Sequence, residues 1–147
     1  MVLGARRTDR LETIADELRS DGAEVVTAGV DVTRRADLDQ LVQNAIVRFG
    51  RLDVLVSNAG ISTLGPMESL RQESTDGVIR TTSVSPGFVR TELGDSIDDP
   101  DARAWVRSNM NAFGLDPDSV ARAIAFAIEQ PRDVEIGEIV IRPTVQD

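Results

Sequence analysis

The 147-residue chain contains no cysteine, no histidine and no tyrosine, and all sixteen of its basic residues are arginine, so lysine is absent as well. Without cysteine, disulfides and thiolate metal sites are excluded. Without histidine, a zinc site would rest on carboxylates alone, and no metal is expected. A Ser-His-Asp or Cys-His engine is excluded, as is any lysine-based nucleophile. Four Phe and one Trp are the only aromatics, so the core must be aliphatic. No apolar run approaches the ~20 residues of a membrane helix. No basic leader precedes an apolar segment, so no secretory signal is expected, and a cytoplasmic location is. The net charge of −9 opposes phosphate neutralisation, so neither nucleic acid nor membrane is an expected partner. An acidic, solvating surface accounts for that charge.

What is present alternates between two periods. Met1-Val2-Leu3-Gly4 reads as the tail of a strand. Asp9 and Glu12 have capping-box spacing, and Leu11, Ile14, Ala15 and Leu18 mark an amphipathic helix over 9–20 that Asp21-Gly22 stops. A Val-rich strand covers 24–30. Thr33 is a candidate N-cap for a helix whose face is Leu38, Leu41, Val42, Ala45, Ile46 and Phe49, ended by Gly50. A strand over 52–56 follows, then a loop and the end of a helix over 68–74. Residues 78–83 read as a strand that Pro86-Gly87 breaks. Helix is expected around 102–109. Asp116-Pro117 opens another helix, with Val120, Ala123, Ile124, Ala127 and Ile128 buried and Pro131 closing it. Residues 136–141 form the last strand. Strands alternating with helices predict an α/β fold with a parallel, doubly wound sheet.

Five stretches, in order, resemble the short-chain dehydrogenase/reductase (SDR) family. Leu3-Gly4-Ala5-Arg6-Arg7 is similar to the end of that family's second strand. Asp31-Val32-Thr33 resembles its adenine-side motif, and Asn58-Ala59-Gly60 its loop after the fourth strand. Ser85-Pro86-Gly87-Phe88-Val89-Arg90-Thr91 is similar to the loop after the sixth strand, and Ile139-Val140-Ile141-Arg142-Pro143-Thr144 to a common ending. The resemblance implies a Rossmann-like fold, an oxidoreductase and a nicotinamide cofactor. An acid at the second strand's end accepts a ribose 2′-hydroxyl, whereas arginine there suits a 2′-phosphate, so Arg6 and Arg7 imply NADP over NAD. Read as residues alone, they are equally a solvated pair opening a helix. By the resemblance, Asp31 would bond the adenine amino group and Val32 would touch the ring. Read alone, Asp31 is a helix-start acid. Asn58, Ala59 and Gly60 let backbone approach a flat cofactor. Pro86, Gly87 and Val89 would lie along the nicotinamide and Thr91 would bond its carboxamide or a phosphate, although Pro-Gly is also an ordinary turn. Trp105 falls where the family places a mobile lid, and packing is the plainer reading.

Two blocks of the family pattern have no counterpart. One is the first strand with its Gly-x-x-x-Gly-x-Gly turn. The other is the catalytic set, in which a Tyr serves as acid/base beside a Lys four residues on, with a Ser and a relay Asn. With neither Tyr nor Lys, no catalytic residue is assignable. Residues 1–147 therefore read as a partial Rossmann-like domain with an internal deletion near 66–70. In the family's strand order 3-2-1-4-5-6-7 the absent strands, 1 and 5, are interior, and each leaves a slot of about 9.6 Å. The implied function is NADP-dependent hydride transfer to a small carbonyl or from an alcohol, inactive in these 147 residues. The alternative is a non-catalytic nucleotide-binding or interaction module, favoured if the sheet closes in the order 3-2-4-6-7. A homo-oligomer is expected, with 117–130 and 136–142 as a possible assembly surface.

Overall fold

Two short parallel ladders carry the architecture. The computed structural model describes residues 1–58 and 79–145. The chain divides into Met1–Thr63 and Leu64–Asp147, two units taken separately below. The fold is α/β, an incomplete version of a Rossmann-like arrangement.

In the first unit β1 (Val2–Ala5) pairs with β2 (Val26–Gly29) in the register Val2↔Val26 to Ala5↔Gly29. Helix α1 (Thr8–Ser20) connects them and buries Leu11 and Ala15. Ile14, expected on the same face, is 48% exposed, because a two-stranded ladder covers only a narrow stripe of a helix. The Asp21-Gly22 stop is observed: Gly22 takes φ of 89°, its N–H donates to Arg19 O at 3.0 Å, and Ala23 N–H donates to Leu18 O at 2.9 Å. The capping box is not. The helix begins directly after Arg7, which caps it without a side-chain bond, so Asp9 lies inside the first turn. Glu12 instead accepts from Thr27 on β2 and from Arg19 at 3.2 Å.

Helix α2 (Arg35–Phe49) ends as expected at Gly50, with φ of 76° and a bond to Ile46 O of 2.8 Å. Its N-cap is Arg34 rather than Thr33, because Thr33 is engaged by Asp31. Residues 52–56 form no strand. No described residue offers them a ladder, and Leu55 is 69% exposed.

In the second unit β3 (Ser83–Pro86) pairs with β4 (Glu138–Ile141). Val78 lies outside the described residues, and the strand expected over 78–83 instead starts at Ser83 and includes Pro86. The register explains why proline is tolerated. Ser83 N–H bonds Gly137 O at 3.1 Å and Gly87 N–H bonds Ile141 O at 2.7 Å, so alternation puts residue 86 on the side that donates nothing to β4. Helix α3 (Pro100–Phe113) is longer than expected, capped by Asp99 with bonds of 2.9 and 3.4 Å to the N–H groups of Asp101 and Ala102. Helix α4 (Pro117–Ile128) is capped by Asp116 as expected, at 3.0 Å from Asp118 N. None of its residues is fully buried, and Ile128, expected in the core, is exposed. A sheet closed in the order 3-2-4-6-7, which would favour the non-catalytic alternative, is not formed among the described residues, which hold two two-stranded ladders. The 66–70 and 68–74 expectations lie outside them.

Arg80 ties the α4–β4 connection down. Its Nη1 faces the carbonyls of Gln130, Pro131 and Val134 at 3.1, 2.9 and 2.8 Å. These acceptors follow a helix C-terminus, where a cation is favoured. Replacing Arg80 by Ala should destabilise the second unit by about 1.5–3 kcal/mol, the range for hydrogen bonds to a charged group. Hydrogen exchange should rise across 129–137, with Arg80→Lys intermediate; unchanged exchange there would refute the clamp.

Candidate functional site

The carboxyl ends of β1 and β2 lie at one end of a parallel pair, where open α/β sheets collect ligands. Val30 N–H donates to Ala5 O at 3.1 Å, which holds the two exits together. Arg6 and Arg7 leave β1 and are exposed; Asp31 and Val32 leave β2, with Asp31 half-buried and Val32 exposed. Gly29 lets the chain run close to the start of α1: a Cβ there would stand 3.2 Å from the Thr8 methyl.

Asp31 organises this end. Its Oδ1 accepts from Thr33 N at 3.0 Å and from Thr33 Oγ1 at 2.8 Å, and its own N–H donates to Asp37 Oδ2 at 3.0 Å. The Thr33 amide, then the Thr33 hydroxyl, then the charges of Arg6 and Arg34 hold its carboxyl below the ordinary aspartate value. The site therefore has a fixed carboxylate with guanidinium groups around it. The arrangement sets cationic groups beside a carboxylate whose second oxygen, Oδ2, takes neither of the Thr33 bonds.

The structure brings Arg6, Arg7, Asp31 and Val32 to one end of the first unit. Asn58 is exposed in the same unit, while Ala59 and Gly60 lie outside the described residues. The remaining candidates belong to the second unit. Pro86 ends β3 and the Gly87 amide is spent on β4. Val89 bridges to Leu115. Thr91 Oγ1 accepts from Leu93 N at 3.3 Å, capping the short 3-10 helix Glu92–Ser96. Arg90, Thr91, Glu92, Asp95, Arg107 and Met110 border an open cavity of 490 Å³. Arg107 Nε crosses it to Asp95 Oδ1 at 2.9 Å. Trp105 meets Phe88 edge-on at 5.5 Å while its other side stays exposed. The Asp95–Arg107 pair and the Arg80 clamp were not foreseen; both join residues whose pairing no local pattern announces. Asp99-Pro100 repeats the Asp116-Pro117 pattern and could have been read. Among the described residues no metal-binding cluster occurs, and no helix is long and apolar enough to cross a membrane.

The chain belongs to the short-chain dehydrogenase family, an oxidoreductase family whose model matches residues 1–86. An uncharacterized oxidoreductase of Listeria monocytogenes is 25% identical over 215 residues, taking in 99% of this chain and 87% of the relative. A span of 215 against 147 residues leaves at least 68 of the relative's positions without a counterpart, so the chain is short beside it. Among solved structures it is similar to an alcohol dehydrogenase from Thermococcus sibiricus complexed with 5-hydroxy-NADP, with a TM-score of 0.78 and 22% identity over 99% of this chain and 86% of the other. A metagenomic short-chain oxidoreductase in complex with NADP gives 0.61 and 20%, over 99% and 86%. At these identities the likeness establishes the fold.

The Asp31 turn has a testable pH signature. A carboxyl whose folded value is depressed contributes stability above its unfolded value of about 3.9, lost as pH falls through the lower folded value. The Thr33 amide resonance should therefore titrate below the ordinary aspartate range. Asp31→Asn, which keeps an acceptor oxygen, should remove that titration and retain the turn. A midpoint at or above the ordinary value would contradict the geometry.

Proposed function

We propose that the chain is an NADP-selective nucleotide binder of oxidoreductase stock whose own residues do not complete hydride transfer. The observation that carries this is the Arg6-Arg7 pair at the carboxyl end of β1, on the same end as the Asp31 carboxylate. A guanidinium fork matches the three oxygens of a 2′-phosphate, and neither arginine position offers the carboxylate that a bare 2′-hydroxyl prefers. Asp31 Oδ2 and the exposed Val32 face would take the adenine. Crystallised relatives that hold NADP or an NADP derivative support the same choice.

When bound, the nicotinamide would exchange a hydride with a carbonyl or alcohol carbon of a small molecule. The proton that must accompany it needs an acid/base group. The family resemblance calls for a Tyr whose pKa a nearby Lys lowers, and the sequence holds neither. The same reading places the deletion near residues 66–70, the protein in the cytoplasm and the chain in a self-associated form.

Titration calorimetry with NADPH, NADH and adenosine 2′,5′-bisphosphate tests the binding half. NADPH and the bisphosphate should bind at least about tenfold more tightly than NADH, a difference of roughly 1.4 kcal/mol. Arg6→Ala/Arg7→Ala should erase that difference and leave NADH binding unchanged. Equal affinity for NADPH and NADH in the unaltered chain would overturn the selectivity. Sustained NADPH oxidation with a carbonyl panel, by material of verified intact mass, would overturn the inactivity.

A further inference from the structure

The first unit carries both halves of a strand pairing that it does not make within itself. One half is the outer edge of β1. Met1 O and Ala5 O accept from Val26 N and Val30 N of β2, at 3.0 and 3.1 Å. In a parallel ladder alternate residues point the other way. The N–H and C=O groups of Val2 and Gly4 therefore face outward, and no second strand flanks β1 among the described residues. The other half is residues 52–56. They are five residues long against four in β1, three of them valine or leucine in succession, and they lie exposed with no ladder of their own.

The remaining edges are guarded, and this one is not. Natural edge strands are blunted by proline, by charge or by a covering side chain. β3 ends in Pro86, and β4 presents the exposed Glu138. On the outer side of β2 the Val25 carbonyl is taken by Arg19 Nη2 at 3.1 Å, with Glu12 bonded to Thr27 beside it. β1 reads Val-Leu-Gly-Ala and carries neither proline nor charge. Helix α2, which packs on β1, adds half-exposed Leu38, Val42 and Ile46 to the apolar surface of this unit.

We propose that residues 52–56 of one copy add as a strand to the outer edge of β1 in a second copy, reciprocally, giving a closed two-fold pair. The occupant is a second copy because the edge and the strand that fits it are on the same chain. Such self-complementarity is what an isologous contact requires, and reciprocal exchange leaves neither half over for further growth. Main-chain bonds would supply the pairing and the Val54, Leu55 and Val56 side chains the burial. This surface is separate from the arginine site and does not depend on nucleotide.

The test is the oligomeric state of the 147-residue chain without nucleotide, by sedimentation from low to high micromolar concentration. A monomer–dimer equilibrium is expected. Val54→Pro and Leu55→Pro are made singly: adjacent N–H groups point to opposite sides of a strand, so one of the two variants removes a ladder donor whatever the register. That variant should weaken the dimer by about tenfold or more with unchanged helical circular dichroism. Because the chain has no cysteine, a second measurement is available. Copies carrying Val2→Cys are mixed with copies carrying cysteine at 53, 54 or 55 in turn, and oxidised. Neighbouring strands stand within disulfide reach, so a mixed cross-link should form with at least one of the three. A monomer throughout, a dimer indifferent to both proline variants, cross-links only between like copies, or growth into open fibres would each overturn the closed pair. Any of these would leave the Arg6-Arg7 reading standing, since no nucleotide enters the experiment.

Discussion

A strand is an expensive conformation for a lone segment, because every residue presents a donor and an acceptor that only a neighbour can satisfy away from water. Among the described residues two such neighbourhoods exist, β1 with β2 and β3 with β4. The rest of the fold follows from them. Leu11 and Ala15 are buried because α1 lies on a formed ladder, and Val25 and Val30 are buried at its ends. Residues 52–56 have the composition of a strand and no neighbour, and they stay in solvent. Apolarity selects a segment for a sheet; a partner edge decides whether it joins one.

The same ladder sets the electrostatics of the candidate site. Parallel pairing brings two chain exits to one end, so Arg6 and Asp31 become neighbours although twenty-five positions separate them. Thr33 fixes the carboxylate by two bonds to a single oxygen, and the other oxygen keeps its capacity. In an acidic chain of net charge −9, a local cluster of arginines is a departure from the mean field. Such a departure attracts an anion only over a short range at physiological salt. Any ligand held there would need directed contacts in addition to that attraction.

Much of this was legible in the sequence where the determining physics is local. Gly22 and Gly50 adopt positive φ at the predicted helix ends, and Asp116-Pro117 caps its helix as read. The errors fall where a local pattern competes with a distant contact. Asp9 and Glu12 have the spacing of a capping box, but β1 delivers the chain so that Arg7, two residues before Asp9, takes the cap position, and Thr27 on β2 claims Glu12. Pro86 was read as a strand breaker, and only the register with β4 shows that its missing N–H falls on the unused side. Arg80 acts on carbonyls about fifty residues away, which no periodicity encodes. The family and the α/β class were legible because they rest on several short motifs in order, each placed by its own turn chemistry.

The distribution of what is kept has a physical logic. A strand–helix–strand unit is local in sequence: its ladder closes over a single helical connection, and its helix stop and buried stripe lie within about thirty residues. Loop closure over such a distance costs little more than over a shorter one, so the unit asks little of the rest of the chain. Arg6 and Arg7 follow β1 directly and belong to that local unit. By the family resemblance, acid/base chemistry is different: it calls for a Tyr and a Lys four residues apart on an element outside this unit, and the sequence holds neither residue. In the reading proposed above, nucleotide recognition and hydride transfer thus rest on separate residues, the first on Arg6, Arg7 and Asp31 and the second on a Tyr and a Lys that the sequence does not hold.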